Sequence, residues 1–504
     1  MKRFVTIIGA IVLPCLLCAQ QILRVSHLSP QLLPAINQDW DAGRIYRQMV
    51  VLVSFVDCDF QVDDPRGFYH RLFNEEGFVQ RKGAGSVSDY FRHQSDGQLN
   101  LEFDVYGPMK VSLSAASGNG VDINWGGSSF YESLQLLSAE EPDIDYSPYD
   151  WDGDGYIEQI VFVYAGYAGN QAGLTAHIWP NTDEMRPFHF PDGHSAYKYS
   201  ASGELWSNNT PCGVGTICHE YSHCLGLPDL YPTSIRVTYA SVLDEWDLMD
   251  SGNLSNLGSC PPNYSAVEKM LLGWLEPVAL TKDTVITNLK PVAEGGEAFI
   301  IHHTDNEYYL LENRQWEGWD AALPGRGLLV WHVNYKKSNW SVNSVNNTEG
   351  RPDCHLMTAD NLNYSEWREL YFSRGGGSRY RDAANRMNSC IMSSAAYPWT
   401  TDSTSFVNNS LTDTSIPASV MYNNNAQGSN LLSKPITDIC QNADGTISFT
   451  FHASNSSSGI VNLETSKNDQ NVIYDLQGNR MSNASQLRPG IYIVNGKKVV
   501  VARK

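Results

Sequence analysis

The sequence has few basic residues relative to acidic ones. Its 504 residues include 35 Lys and Arg against 55 Asp and Glu, which gives a formal net charge of -20 at pH 7. A chain with this balance repels phosphate backbones and anionic lipid headgroups. The composition therefore argues against nucleic acid as a partner and against attachment to a membrane surface through charge.

Long apolar runs are also missing, except at the start of the chain. The first residues, MKRFVTIIGAIVLPCLLCAQQ, place Lys2 and Arg3 before an apolar stretch that ends at the small residue Ala19. This is the order of a secretory signal, and the run is short for a membrane span. We predict a signal peptide over residues 1–19, a short leader or propeptide remnant over 20–44, and no transmembrane segment after the signal is removed.

Clustered cysteines are absent as well. Of ten cysteines, Cys15 and Cys18 fall within the predicted signal, and the others are scattered along the chain. The scattered spacing speaks against a cysteine-rich zinc module. Disulfides are permitted in an exported chain, but the sequence does not determine their connectivity.

The first half of the chain mixes strand and helix patterns. MVVLVSFV and IVFVYAG are apolar runs of strand length, typical of buried strands. Between them, GSVSDYF predicts a helix that is N-capped at Ser86 or Ser88. We therefore predict an α/β (α+β) catalytic domain over residues 45–280.

The second half of the chain has mostly strand patterns. Short strand-like runs separated by Gly, Asn and Asp turns predict a β-rich domain of β-sandwich type over residues 281–453. Residues 454–470 have the composition of a flexible linker, and residues 471–504 contain turns for two strand pairs.

The strongest functional pattern lies in GTICHEYSHCLGLPDLY. His219 and His223 are four residues apart, so on a helix both imidazoles can reach one ion. Glu220 lies beside them, placed to take a proton from the attacking water. Gly226 can adopt the left-handed conformation that ends a helix, and the chain can then carry Asp229 back to the ion.

The whole pattern is HExxHxxGxxD, a metzincin-like zinc motif with Asp in place of the usual third His. Three protein ligands leave the fourth position of a tetrahedral zinc for water, as catalysis requires. Met249, in DEWDLMDSGN, is placed to form the methionine turn beneath such a site. Cys218 and Cys224 lie off the ligand face of a helix, so we interpret them as packed cysteines or disulfide partners.

A second candidate metal site lies in DWDGDGYIE. Asp150, Asp152, Asp154 and Glu158 supply carboxylates, and the glycines between them allow a sharp turn around a hard cation. The loop starts like an EF-hand but has no acidic residue at its twelfth position. The sequence favours a structural calcium site here, with a plain solvated Asp-Gly turn as the alternative.

With these motifs the chain resembles the immune inhibitor A family of secreted zinc metallopeptidases. The resemblance runs from about residue 45 to about 452. It also includes SVSDYFRHQSDGQLNLEFDVYG, YDWDGDGYIEQIVFVYAG, WDLMDSG and YLLENRQWEGWDAALPGRGLLVWHVN. It implies an endopeptidase with one catalytic zinc bound by His219, His223 and Asp229, and with Glu220 as general base.

Two positions depart from the family pattern. The family often has Gly where Ser222 stands and Asp where Pro232 stands, which affects loop shape rather than the ligands. The tail, in YDLQGNR and GIYIVNGKKVVV, resembles the C-terminal sorting signal of Bacteroidota type IX secretion substrates. That implies contact with secretion machinery and export or display at the outer-membrane cell surface. A small β-domain is the alternative for this segment.

The sequence thus predicts a secreted zinc endopeptidase that acts on protein or peptide substrates, with an added structural calcium. Tyr231 and Tyr264 are candidates, by proximity alone, for stabilising the oxyanion. Two rival interpretations remain: an adhesin or glycan-binding protein on a catalytically silent metallopeptidase scaffold, and a zinc amidase that acts on cell-wall peptides.

Overall fold

A computed structural model describes residues 40–116, 127–170, 177–206, 208–373, 392–400 and 407–454, together with four strands near the C-terminus. The chain divides into two compact units, with the division after Ser454. The predicted signal peptide lies outside the described residues, as do most of the leader and most of the linker. No helix within the described part of the chain is long and apolar enough to cross a membrane.

The first unit has a mixed α/β fold with several sheets and few helices. Its helices are α1 Pro65–Asn74, α2 Val87–Gln94, α3 Gly127–Glu140, α4 Val214–Cys224, α5 Ala266–Leu271, α6 Lys337–Trp340 and α7 Tyr364–Ser373. Its first strands are β1 Ile45–Ser54, β2 Asn100–Lys110, β3 Ile160–Tyr167, β4 Asn181–His189 and β5 Ser195–Leu205. The later strands are β6 Val278–Ala279, β7 Thr284–Leu289, β8 Phe299–His302, β9 Glu307–Arg314, β10 Gly327–Asn334, β11 Cys354–Leu356, β12 Trp399–Thr400, β13 Val407–Asn408, β14 Ile436–Gln441 and β15 Ile447–Phe451.

The first five strands form one sheet in the order β2-β1-β3-β5-β4. All neighbours run parallel except β4, an edge strand that pairs antiparallel with β5. Alternate residues of β1 enter different cores: Val50 and Leu52 join one cluster, whereas Val51 and Val53 join another. Both faces of β1 are thus covered, which explains its continuous apolar sequence and confirms the predicted buried strand.

The helix that carries the candidate ligands, α4, contacts α2. α2 begins with a capping box: the Asp89 amide donates to Ser86 Oγ at 3.2 Å, and the Ser86 amide donates to Asp89 Oδ2 at 3.0 Å. The first of the two predicted caps, Ser86, is therefore the one used. α4, which carries the histidine motif, packs against β5 and β4 and is buried over almost its whole length.

Two further sheets follow α5. One has the order β11-β10-β9-β8-β6 and the other the order β14-β15-β7. They share a core, in which Leu311 and Val330 of the first sheet join Ile436 and Phe449 of the second. Strands β7, β8, β9, β10 and β15 coincide with the strand-like runs of the sequence. The largest core cluster nevertheless crosses residue 280, since it contains both Tyr221 and Trp331.

The second unit contains a small antiparallel sheet. Its strands are β16 Ile473–Tyr474, β17 Arg480–Met481, β18 Gly490–Val494 and β19 Lys497–Val501. Their order is β17-β16-β18-β19. The turn-rich pattern of the tail therefore does correspond to paired strands.

Candidate metal centre

The end of α4 shapes the candidate metal centre. Gly226 has a φ of 103°, a conformation that L residues rarely adopt. Its amide donates to His223 O at 2.9 Å, and the next amide, of Leu227, donates to Ser222 O at 3.1 Å. This pair of bonds is a Schellman ending. As predicted, the glycine ends the helix and turns the chain back towards its own buried face.

The two histidines of α4 are oriented by backbone carbonyls. His219 Nδ1 lies 2.8 Å from Leu248 O, and His223 Nδ1 lies 2.7 Å from Leu227 O. A carbonyl only accepts hydrogen bonds, so each Nδ1 carries a hydrogen and each Nε2 is turned to the opposite side. This fixed tautomer is the arrangement found for histidines that bind metals.

Asp229 completes the group. Its Oδ1 lies 3.2 Å from His219 Nε2 and 3.3 Å from His223 Nε2. All three side chains are buried, and Asp229 is completely inaccessible. Apart from these imidazoles, Oδ1 has no hydrogen-bond partner within the described residues. The structure thus brings together the three residues that the motif selects, with their lone pairs converging.

These distances fit a small tetrahedral cation. Ligands at about 2.0–2.1 Å from a zinc ion stand about 3.3 Å from one another in a tetrahedron, which matches the separations around Asp229 Oδ1. Without a cation, a proton lies between His219 Nε2 and Asp229 Oδ1. Burial disfavours the protonated imidazole, but the hydrogen bond to Asp229 raises the pKa of His219 to about 9. A metal would displace this proton.

The other carboxylate oxygen of Asp229 contacts a residue that the motif does not predict. Asn343 Nδ2 donates to Asp229 Oδ2 at 2.7 Å, and the Asp229 amide donates to Asn343 Oδ1 at 2.7 Å. Asn343 lies between α6 and β11, far along the chain. A concentration of asparagines in SVNSVNN is the only sequence signal for it.

Glu220 lies in the same buried site and has its own unpredicted partner. The Thr182 hydroxyl lies 3.0 Å from Glu220 Oε2 and 2.8 Å from the backbone oxygen of Glu220, so its one hydrogen serves both. Thr182 belongs to the edge strand β4. Burial raises the pKa of Glu220, while the neighbouring histidines oppose this shift.

The segment around Met249 passes close to both halves of the motif. The carbonyl of Leu248 is the acceptor for His219 Nδ1, and the Leu230 amide donates to Met249 O at 2.8 Å. Met249 itself is fully buried in the largest core cluster. Met249 thus lies in a turn whose backbone bonds to His219 and to Leu230, the residue after Asp229.

The two candidate tyrosines lie in different surroundings. The Tyr231 ring is nearly parallel to the His219 ring, with centroids 6.4 Å apart. Burial, together with the charges of Asp229 and Glu220, raises the pKa of Tyr231 well above its ordinary value. Tyr264, by contrast, is buried in the core and bonds through its hydroxyl to Ser222 Oγ.

Neither cysteine of the motif belongs to the candidate metal group. Cys218 is buried, Cys224 is partly buried, and both are free thiols. Burial raises the pKa of each thiol, which opposes the thiolate form that binds zinc. Of the two interpretations offered for them, packed cysteines describe their position.

The acidic loop gathers three of its four predicted carboxylates. Asp150, Asp152 and Glu158 each have an oxygen within 4.8 Å of the others. Asp154 is not part of this group, and its Oδ1 accepts a 2.7 Å bond from the Tyr156 amide. Burial raises the pKa of Glu158 to about 7.

Comparison with known proteins adds a family to this geometry. Residues 59–272 match the model of the immune inhibitor A peptidase M6 catalytic domain. The pre-pro-metalloprotease PrtV of Vibrio cholerae serotype O1 is 24% identical over 266 residues, which is 46% of this chain and 28% of that protein. Immune inhibitor A of Bacillus thuringiensis subsp. alesti is 24% identical over 289 residues, 48% of this chain and 41% of that protein.

The chain therefore spans less than half the length of either relative. Among solved structures, the metalloproteinase-II from Bacteroides fragilis is matched at a TM-score of 0.20 and 11% identity, over 51% of this chain and 60% of that one. A score this low lends no support to a shared fold. The sequence matches, taken with the converging ligands, support a metallopeptidase catalytic domain of the immune inhibitor A (peptidase M6) family at residues 59–272.

Proposed function

We propose that this chain is a secreted zinc endopeptidase that hydrolyses peptide bonds of protein substrates, with Glu220 as the general base. The observation that carries the proposal is one buried site in which His219, His223 and Asp229 converge beside the Glu220 carboxylate. A structural metal site needs no such base, whereas a hydrolytic one does.

Zinc is the metal that this donor set favours. Two imidazole nitrogens and one carboxylate oxygen, at tetrahedral separations, leave one coordination position for water or substrate. When bound, zinc supplies Lewis acidity that lowers the pKa of a water molecule and polarises the scissile carbonyl. Asp229 contributes a negative charge that partly offsets the charge of the cation.

Glu220 transfers the proton. Its carboxylate takes a proton from the attacking water as the new C–O bond forms, and returns it to the leaving amine nitrogen as the C–N bond breaks. Thr182 holds Glu220 Oε2 at 3.0 Å, so we assign Oε1 to the water. The burial of Glu220 excludes bulk water that would compete for this proton.

Tyr231 is the residue that we assign to oxyanion stabilisation. It lies beside His219 and close to Asp229, and its raised pKa keeps the phenol protonated as a donor. Tyr264 is not assigned this role, because its hydroxyl bonds to Ser222 in the core.

A protein substrate fits the edge strand better than a compact ligand does. β4 lies at the edge of its sheet and carries Thr182, which contacts Glu220. An extended peptide can add to such an edge through main-chain hydrogen bonds. This arrangement favours cleavage within a chain, and thus an endopeptidase.

Five finer features complete the proposal. The turn at Met249 supports a metzincin-like floor for the site, and the shared core of two sheets supports a β-sandwich-like second part. Calcium at Asp150, Asp152 and Glu158 is supported by their proximity. Secretion is supported by the N-terminal pattern, and type IX sorting to the outer-membrane surface by the pattern of the tail.

The test compares the wild type with Glu220→Gln, which keeps the shape of the side chain but cannot accept the proton. We expect casein hydrolysis to fall by at least about a hundredfold, with bound zinc unchanged at one ion per chain by elemental analysis. Zinc removal and readdition should abolish and restore wild-type hydrolysis. Casein cleavage by purified Glu220→Gln at the wild-type rate would disprove the mechanism.

The same preparation separates the rival functions. A wild-type protein that binds glycans in the presence of chelators and cleaves no protein would be an adhesin on a silent scaffold. Release of peptides from peptidoglycan, without casein cleavage, would indicate a cell-wall amidase. Both outcomes would contradict the proposed endopeptidase.

A further inference from the structure

A loop from the β-rich part of the chain lies against the segment that carries Asp229. The loop contains the run SVNSVNN, residues 341–347, and follows α6. Residues 59–272, which match the peptidase family, do not include it. Its side chains nevertheless bond to Asp229, the third candidate ligand, and to Leu230, Thr233 and Ser234 beyond it.

Asn343 makes the most direct of these contacts. Its carboxamide bonds twice to one residue: Nδ2 donates to Asp229 Oδ2, and Oδ1 accepts from the Asp229 amide, both at 2.7 Å. Two bonds to groups on the same residue fix both the position and the rotation of the carboxylate. Oδ2 is thereby occupied, and Oδ1 is left facing His219 Nε2 and His223 Nε2.

Neighbouring contacts hold the loop in place. Asn346 Nδ2 donates to Leu230 O at 2.6 Å, and Asn347 Nδ2 donates to Thr233 Oγ1 at 2.8 Å. The Thr233 hydroxyl in turn donates to the backbone oxygen of Asn343 at 2.9 Å. The carboxamide of Asn343 therefore meets Asp229 from a loop that is itself fixed.

The backbone explains why asparagine occupies these positions. Asn343 has a φ of 51° and Asn346 a φ of 60°, both in the left-handed region. Asparagine is among the few residues with a side chain that adopt this conformation readily. Both side chains are buried, and a buried carboxamide needs partners, which the backbone and carboxylate of the ligand segment supply.

We infer that Asn343 is a positioning residue of the metal centre, which selects the oxygen of Asp229 that faces the metal. The inference rests on the proposed zinc site and extends it: the site is completed by a loop about 110 residues beyond its own motif. Outer partners of this kind orient metal ligands, and their loss typically costs 10-fold to 100-fold in metal affinity.

The chain offers a matched control. Asn346 shares the loop, the left-handed backbone and the burial of Asn343, but its carboxamide bonds to Leu230 O and to the Cys354 amide rather than to a ligand. Glycine tolerates a positive φ, so Asn343→Gly and Asn346→Gly each remove a side chain without straining the backbone. A milder variant, Asn343→Ser, keeps a small polar side chain that is too short to span both bonds.

The experiment measures the zinc dissociation constant of the full chain by competition with a fluorescent chelator, together with thermal unfolding. We expect Asn343→Gly to weaken zinc binding at least about tenfold and Asn343→Ser to weaken it less. Asn346→Gly should lower the unfolding temperature about as much as Asn343→Gly does. It should change the zinc dissociation constant less than twofold. The visible spectrum of the cobalt-substituted protein should change for both Asn343 variants and not for Asn346→Gly, because only the Asn343 variants disturb the paired bonds to Asp229.

Equal zinc constants for wild type and for either folded Asn343 variant would overturn the inference while the proposed peptidase stands. Equal losses in Asn343→Gly and Asn346→Gly would also overturn it, since they would indicate a purely structural loop. A wild-type protein that binds no zinc would instead refute the proposed function. If Asn343→Gly does not fold, the zinc dissociation constant and the cobalt spectrum of Asn343→Ser test the inference instead.

Discussion

The two candidate metal sites described above differ in the hydrogen bonds that their carboxylate oxygens accept. In the acidic loop, Asp150 Oδ1 accepts from the Gly153 amide at 2.8 Å, and both oxygens of Glu158 accept from the Trp151 amide at 2.7 and 2.8 Å. In the buried site, Asp229 Oδ1 lies 3.2 and 3.3 Å from two imidazole nitrogens and has no other hydrogen-bond partner within the described residues. In the acidic loop, backbone amides donate to the carboxylates. In the buried site, the lone pairs of Asp229 and the two histidines converge.

This difference separates two ways in which proteins hold cations. A loop whose carboxylates already have backbone donors keeps its shape alone, so an ion adds modest stability. A buried carboxylate oxygen that faces imidazole lone pairs is costly unless a proton or a cation lies between them. We therefore expect the buried site to depend on its metal for function, and the loop to use an ion for stability alone.

The most direct test of this difference removes one carboxylate from each candidate metal site. Asp229→Ala removes a ligand, and we expect peptidase activity to fall by at least about a thousandfold, because the metal supplies several kcal/mol of transition-state stabilisation. Asp152→Ala removes a carboxylate from the loop and should change activity less than about twofold. Hydrolysis of a fluorogenic peptide and zinc content by elemental analysis check both. Full activity in Asp229→Ala would remove the distinction.

A second, smaller effect is expected from the partner of the general base. Thr182→Val keeps the shape of the side chain but removes the hydroxyl that bonds to Glu220 at 3.0 Å. Hydrogen bonds to charged groups contribute about 1.5–3 kcal/mol, so we expect kcat to fall about tenfold or more with zinc content and KM unchanged. Thr182→Ser, which restores the hydroxyl, should recover most of the activity. A kcat within twofold of wild type in Thr182→Val would show that the bond does not position the base.

The sequence predicts the parts of the metal site that depend on local spacing. His219 and His223 share a helix face because 3.6 residues make a turn, and Gly226 ends the helix because it adopts a positive φ. Asp229 follows within one short loop. None of these features requires knowledge of another part of the chain, so the motif alone brings the three ligands together.

The residues that the sequence did not predict come from distant parts of the chain. Thr182 reaches Glu220 from the edge strand of the sheet, and Asn343 reaches Asp229 from a loop after β10. Both contacts depend on how elements pack, and neither has a fixed spacing to the motif. The same holds for the largest core, which joins Tyr221 to Trp331 across the predicted boundary at residue 280.

The acidic loop shows a second limit of spacing arguments. Asp150, Asp152 and Asp154 alternate in sequence, which suggests a shared ion. In the fold, the Asp154 side chain instead accepts from the Tyr156 amide, because short acidic side chains in turns bond to nearby backbone amides. Which carboxylates face one another is therefore settled by the turn and not by the alternation.

Calcium should stabilise the loop by a modest amount. An ion at ten times its dissociation constant adds about 1.4 kcal/mol to the free energy of unfolding, or roughly 2 °C in a protein of this size. Thermal unfolding at fixed zinc, with and without calcium, measures this increase. Asp152→Asn should abolish it, whereas Asp154→Asn should retain it, because Asp154 is outside the gathered group. Equal behaviour of the two variants would contradict the assignment of ligands.

The last expected effect is the pH dependence contributed by Glu158. Burial raises its pKa to about 7 from an ordinary value of 4.5, so between these values the folded chain binds a proton that the unfolded chain has lost. The stability contributed by this group is therefore complete below about pH 4.5 and is lost as the pH rises through about 7. In buffer free of divalent cations, Glu158→Gln should gain unfolding temperature relative to wild type between pH 5 and pH 8. A difference in unfolding temperature between Glu158→Gln and wild type that does not change with pH would contradict the raised pKa of Glu158.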